Sequence, residues 1–243
     1  DDGGIGDLDD RTVKLWDLPL EKQPEFLDWF NKWYPGVKVE FWPKRIISAL
    51  PVPYLSQLGA GADFAPGDCG AACLAMMLNY RGGHVTVDQV SRATGKPGGF
   101  TTLSAGNLQD AGAAFGLPLI HTTVQTLVAV SNEITARLPV MALVNYAMLP
   151  ERVKHDPNYT RAHWILIVGV TPQTIIYHDP YETSFLLGAN KEITHAEFYT
   201  AWSTVPQNLD FTIPRQLLHI GQNTPAPSVS YAHIGVGQGN PAR

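Results

Sequence analysis

The densest apolar stretch of the chain runs from Cys69 to Tyr80. Cys69, Ala72, Cys73, Met76, Met77 and Tyr80 recur at the spacing of one helical face, and Leu74, Ala75 and Leu78 make the opposite face apolar as well. A helix that is apolar nearly all round is surrounded by protein, so the pattern predicts a central buried helix. Asp68 stands at the N-cap position, after the loop residues Ala65-Pro66-Gly67, and Arg81-Gly82-Gly83 forms the stop.

Around this helix the periodicity changes along the chain. Residues 1–10 are Asp/Gly-rich and read as a lead-in. A short strand is expected within Thr12–Leu20, a helix from Pro24 to Tyr34 and a strand over Val37–Trp42. Phe26, Trp29, Phe30 and Trp33 form an aromatic stripe at helical spacing, which predicts a packing face. Val52–Gln57 is extended. Thr86 and Gln89 make a capping box for a helix to Ala93, and Gly98-Gly99 marks a turn. A helix over Asn107–Phe115, a strand over Leu117–Thr123 and a mostly helical Val124–Leu138 follow.

From there β character dominates. Val140–Asn145 is an apolar run of strand length, residues 147–162 a long polar loop, and His163–Val170 a β-branched buried strand. Thr171-Pro172-Gln173 turns the chain into a further strand, Thr174–Asp179, which Pro180 ends. Thr194 and Glu197 form a second capping box, opening a helix through Phe198 and Trp202. Helices first and adjacent antiparallel strands later predict an α+β fold. From Gly221 the chain is rich in Gly, Pro, Ser and Asn and reads as a tail or linker.

Composition narrows the function classes. The chain has 243 residues, 44% hydrophobic and 16% charged, with a formal net charge of −5. That balance suits a globular core and disfavours a broad electrostatic grip on nucleic acid or anionic lipid. No apolar run reaches the roughly 18 residues of a membrane span. The two cysteines, Cys69 and Cys73, lie four apart in one helix, where a disulfide would be strained. Gly235, Gly237 and Gly239 resemble a phosphate loop by glycine count only, and no nucleotide or other cofactor is expected.

The candidate chemistry starts at the helix mouth. The free N–H groups and dipole of a helix N-terminus favour an anion, and the anion a cysteine offers there is a nucleophilic thiolate. The bland alternative makes both cysteines small core residues. A cysteine nucleophile needs a base, and the base an orienting group. With the hairpin turn centred near Pro172, residues about 163 and 181 face each other, which brings Asp179 diagonally close to His163 on a shared face. Gln57, just before the loop into Cys69, is the candidate side-chain donor to an oxyanion, beside the Cys69 backbone N–H. His178 should point to the other sheet face, which disfavours a metal site built from His163, His178 and Asp179.

Gln57, then Asp68-Cys69-Gly70 with Cys73, Leu74 and Met76, then His163-Trp164 with Val168-Gly169, then Asp179-Pro180-Tyr181 resembles the C39-like cysteine peptidases. Glu197, Phe198 and Trp202 resemble the closing helix of that family. The likeness implies a papain-like α+β fold with the Cys-bearing helix packed on an antiparallel sheet. It implies a Cys–His–Asp triad in which Cys69 is the nucleophile, His163 the general base and then acid, Asp179 the orienter and Gln57 the oxyanion donor. It implies a peptide or protein substrate. The expected division is residues 1–50 as an N-terminal extension, 51–205 as the peptidase domain and 206–243 as a tail or linker.

Well-known relatives are fused to ABC transporters and trim leader peptides after a double glycine, whereas this sequence shows neither a span nor a nucleotide-binding motif. An extracellular or cell-surface location is the expectation drawn from that free-standing form, with a cytoplasmic one left open. The loop 147–162 is expected to flank the substrate cleft. Two other readings stay open: an acyltransferase or non-peptide amidase on the same triad, and a non-catalytic module assembling through the N-terminal aromatic segment or the tail.

Overall fold

The computed structural model describes residues 12–15, 23–36, 38–41, 49–59, 67–96, 103–204 and 213–220. The lead-in over residues 1–10, the turn at Gly98-Gly99 and the chain from Gly221 onward lie outside the described residues. The chain divides into two compact units, Asp1–Ile47 and Ser48–Arg243.

In the first unit, strand β1 (Thr12–Leu15) pairs in parallel with β2 (Lys38–Phe41), and helix α1 (Gln23–Trp33) connects them. Phe26 and Phe30 stack at 5.6 Å, and Phe30 meets Tyr34 at 4.9 Å, so the i, i+4 row closes on itself. Phe30 is buried, but Trp29 and Trp33 are 55% and 62% exposed. The aromatic stripe is therefore two rows of different exposure, and from the exposed one Trp29 meets Phe26 at 5.7 Å.

The second unit begins its regular structure with α2 (Cys69–Tyr80), buried from Cys69 to Leu78. Helices α3 (Val87–Ala93) and α4 (Ala105–Ala114) pack on it. The capping box at Thr86 and Gln89 forms. Helix α4 starts two residues earlier than its apolar pattern suggests, because Ser104 and Asn107 form a capping box of their own. Then come β3 (Leu119–Thr122), α5 (Leu127–Thr135), β4 (Val140–Asn145), β5 (Ala162–Val170), β6 (Thr174–His178), α6 (Phe185–Gly188), β7 (Lys191–Thr194), α7 (His195–Ser203) and β8 (Leu217–Ile220).

Six strands make one antiparallel sheet in the order β3-β8-β4-β5-β6-β7. The fold is thus α+β, with the Cys-bearing helix lying on the central strand β5, the papain-like arrangement. Two strands escape the periodicity argument. Strand β7 is too short and too polar to announce itself. Strand β8 lies inside the stretch 206–243 read as a tail, and it fills an internal place between β3 and β4. Four residues carry too little alternation to register, yet Leu217, Leu218 and Ile220 are all buried.

The approach of α2 to β5 is set by a glycine. A Cβ on Gly70 would stand 2.9 Å from Leu108 Cδ1 and 3.1 Å from Trp164 Cδ1, so only hydrogen fits between the helix and its neighbours. Trp164 is fixed by donating its indole N–H to Leu103 O at 2.9 Å. The Cys73 thiol donates to Trp164 O at 3.4 Å. These contacts seat the first turn of α2 beside the start of β5.

The β5–β6 hairpin contains a bulge. Gly169 pairs with Ile176 and Val170 with Ile175, but beyond the bulge Ile167 pairs with Tyr177 and Leu166 with His178. Val168 is the extra residue, and its carbonyl accepts from Leu50 N–H at 2.7 Å instead of from the ladder. The shifted register places His163 and Asp179 on one face. A straight ladder from the same turn would have put Asp179 on the face of Trp164 and Leu166.

Candidate active site

Cys69 opens α2 and is 2% exposed. Its sulfur is among the groups that raise the pKa of the His163 imidazole. His163 Nε2–H donates to Asp179 Oδ1 at 2.8 Å, which leaves Nδ1 for the sulfur. Asp179, the residue after β6, is fully buried. Its Oδ1 also accepts from the Tyr181 N–H at 3.0 Å, and its Oδ2 accepts from Lys191 Nζ at 3.1 Å. The structure therefore joins His163 directly to Asp179, with Cys69 acting on the same imidazole.

Burial opposes charge on both members of the inner pair, and the pair overcomes it. Burial lowers the pKa of His163, but the Asp179 charge, its hydrogen bond and the Cys69 sulfur raise it well above the usual 6.5. Burial raises that of Asp179, but His163, Lys191 and the Tyr181 N–H hold it below the usual 3.8. The same contacts make His163 more basic and Asp179 more acidic, so an ionised carboxylate stands beside an imidazole able to take up a proton. Tyr146, Tyr181 and Tyr159 surround the ring, with centroids 5.1, 6.0 and 6.4 Å from it. Tyr146 and Tyr159 bracket the loop between β4 and β5, so part of that polar segment packs on the imidazole.

Gln57 is 2% exposed, and its Oε1 has no hydrogen-bond partner. Its segment is stitched to the turn after Asp179. The Gln57 N–H donates to Pro180 O at 2.8 Å, and the Tyr54 hydroxyl donates to Asp179 O at 2.9 Å and Glu182 O at 2.8 Å. Tyr54 lies against Gly188, where a Cβ would stand 2.1 Å from the phenol oxygen. Gln57 and Asp179 are thereby held by one small framework.

Asp68 corrects the expected cap. Its carboxylate does not bind the first-turn N–H groups of α2. Oδ1 accepts from Ser91 Oγ at 2.7 Å, while Oδ2 is buried without a partner, and burial pushes the Asp68 carboxyl up against that hydrogen bond. The N–H groups of the first turn are left unclaimed by this side chain. Cys73 is fully buried, and burial pushes its thiol well up. His178 is a packing residue. Its Nε2–H donates to Val52 O at 3.0 Å, its Nδ1 accepts from Asn190 N–H at 3.1 Å, and burial lowers its pKa.

The sequence reading missed Lys191, Glu182 and His155. Lys191 Nζ donates to Asp179, to Glu182 Oε1 at 2.6 Å and to Val153 O at 2.7 Å, and His155 Nδ1 lies 3.1 Å from Glu182 Oε2. Only the alternation of β7 hinted at Lys191. With Ile193 inward, Lys191 points with it toward the face of its partner Tyr177.

The chain belongs to the C39-like peptidase family, whose model matches residues 49–208. No curated protein matches it. Among solved structures it is similar to a protein from Bacillus anthracis assigned to the C39-like peptidases, at 17% identity and a TM-score of 0.49 over 73% of this chain and 97% of that one. It is also similar to a double glycine motif protease from an AMS/PCAT transporter in complex with the leader peptide (19% identity, TM-score 0.44, 72% and 93% covered). A third is the peptidase domain of Streptococcus ComA, a bifunctional ABC transporter involved in quorum sensing (12% identity, TM-score 0.44, 63% and 91% covered). Among the described residues no helix is long and apolar enough to cross a membrane.

Proposed function

We propose that this chain cleaves a peptide bond through a thioester on Cys69. The observation that carries the reading is the buried His163–Asp179 hydrogen bond at 2.8 Å, on an imidazole whose pKa the Cys69 sulfur also raises. The Cys69 thiol passes its proton to His163 Nδ1, and the sulfur attacks the carbonyl carbon. The oxyanion accepts from the Cys69 backbone N–H and the Gln57 side-chain amide. Collapse breaks the C–N bond, and the proton on His163 goes to the departing amine. Water then gives its proton to His163 and attacks the thioester, which releases the acid and restores the thiol. Asp179 holds the imidazole in the tautomer that presents Nδ1 to sulfur.

Cys69→Ala should abolish hydrolysis of fluorescein-labelled casein and leave the thermal unfolding transition in place. Iodoacetamide should label Cys69 and spare the buried Cys73, read by peptide mapping. Hydrolysis surviving in Cys69→Ala would overturn the reading.

A further inference from the structure

We propose that Lys191 is a positioning residue of this site, holding the outer oxygen of Asp179 so that the inner one stays ionised and aimed at His163. The proposal rests on the function given above and deepens it.

An ammonium has three N–H donors, and Lys191 spends all three on acceptors from three segments. They are Asp179 Oδ2 after β6, Glu182 Oε1 in the following turn and Val153 O in the single turn over Glu151–Val153. The Lys191 side chain is 10% exposed, and Glu182 and Asp179 are 7% and 0% exposed. Two carboxylates thus share one cation away from water. Without it, two neighbouring buried carboxylates resist joint ionisation, and one takes up a proton. A proton on Asp179 would remove the partner of the imidazolium. The thiolate would lose a nearby positive charge at the same time.

The other groups facing the cluster do not replace the cation. His155 Nδ1 meets Glu182 Oε2 from the partly exposed loop. Tyr146 and Tyr177 face Asp179 as neutral phenols, their pKa values raised by burial first and by the Asp179 charge next. Arg152 pairs with Glu197 on the surface. His163 is the group being served. A purely structural tie between β7 and the Val153 turn would give the same contacts, so the test must read ionisation and not only folding.

The rate of Cys69 alkylation by iodoacetamide is measured against pH, with kcat and KM on labelled casein. Lys191→Met should move the acid limb of the alkylation profile up by about one pH unit. It should lower kcat about 10–100-fold with KM little changed, the scale of a misplaced catalytic group. Lys191→Arg should restore much of kcat. Glu182→Gln, which leaves Asp179 sole claim on the ammonium, should move the acid limb down. An unmoved acid limb in Lys191→Met, or an unmoved or raised one in Glu182→Gln, overturns the proposal, and the second variant decides if the first does not fold. Wild-type protein whose Cys69 is not alkylated at any pH instead overturns the proposed function.

Discussion

Gly70→Ala is the sharpest test of how the helix delivers its sulfur. A methyl group there would lie 2.9 and 3.1 Å from the two Leu108 methyls and 3.1 Å from Trp164 Cδ1, where ordinary contact begins at 3.4 Å. The shortfall is therefore a few tenths of an ångström on two sides at once. Leu108 and Trp164 are fully buried, and Trp164 is held through its indole N–H, so neither has free space to enter. The first turn of α2 must give, and Cys69 is its first residue. Overpacking costs about 1–3 kcal/mol, and alanine in place of a helical glycine returns roughly 1 kcal/mol. Net stability should fall by no more than about 2 kcal/mol, while reactivity falls further, because a misplacement near 1 Å can cost about 100-fold. The assay is the second-order rate of Cys69 alkylation beside the unfolding temperature. The rate should drop at least tenfold, and Gly70→Ala combined with Leu108→Ala should recover part of it by opening room. An unchanged alkylation rate in the single variant would show that the glycine does not set the sulfur position.

Two further outcomes follow from the charge balance and from the framework around Gln57. Asp179→Asn removes the charge and hydrogen bond that do most to raise the His163 pKa, leaving burial, which lowers it, against the smaller lift from Cys69. A raised folded value means that the protonated imidazole stabilises the fold fully below 6.5 and loses that contribution as pH rises through the folded value. In Asp179→Asn the alkaline limb of the alkylation profile should therefore move to lower pH. The kcat should fall on the order of 10³–10⁴-fold, as for a triad aspartate made amide. An unmoved alkaline limb would sever the link between the two residues. Gly188→Ala would drive the Tyr54 phenol off two carbonyls it holds, at Asp179 and Glu182. It should cost about 1–3 kcal/mol in denaturant unfolding, and a variant as stable as wild type would refute that packing.

Legibility in the sequence followed the strength of local patterns. The helix Cys69–Tyr80 was plain because burial on all sides leaves an unbroken apolar run. The capping boxes at Thr86 and Thr194 were plain because the cap and its glutamine or glutamate stand three apart. The cap at Ser104 uses Asn107 and was passed over. Beyond the weak hint in β7, the Lys191–Glu182 pair is recognised only once the fold brings its partners from separate segments together. The orphaned Oδ2 of Asp68 is the reverse case, since the cap position is right and Ser91, far along the chain, takes the carboxylate.

The meeting of His163 and Asp179 shows how a correct juxtaposition can be reached by an incomplete route. Counting outward from a turn centred on Pro172 sets residue 163 opposite 181. The ladder nearest the turn has the other parity, because Gly169 pairs with Ile176 and Val170 with Ile175. Only the extra residue at Val168 restores the count before the strands reach the site. The bulge is tolerated because its carbonyl finds Leu50 N–H and because the next residue has no side chain. A Cβ on Gly169 would sit 3.1 Å from Ile176 Cδ1 and 3.4 Å from Ala49 Cα. The shared face of Asp179 and His163 therefore depends on a one-residue irregularity some five residues from the imidazole, which alternation alone does not reveal.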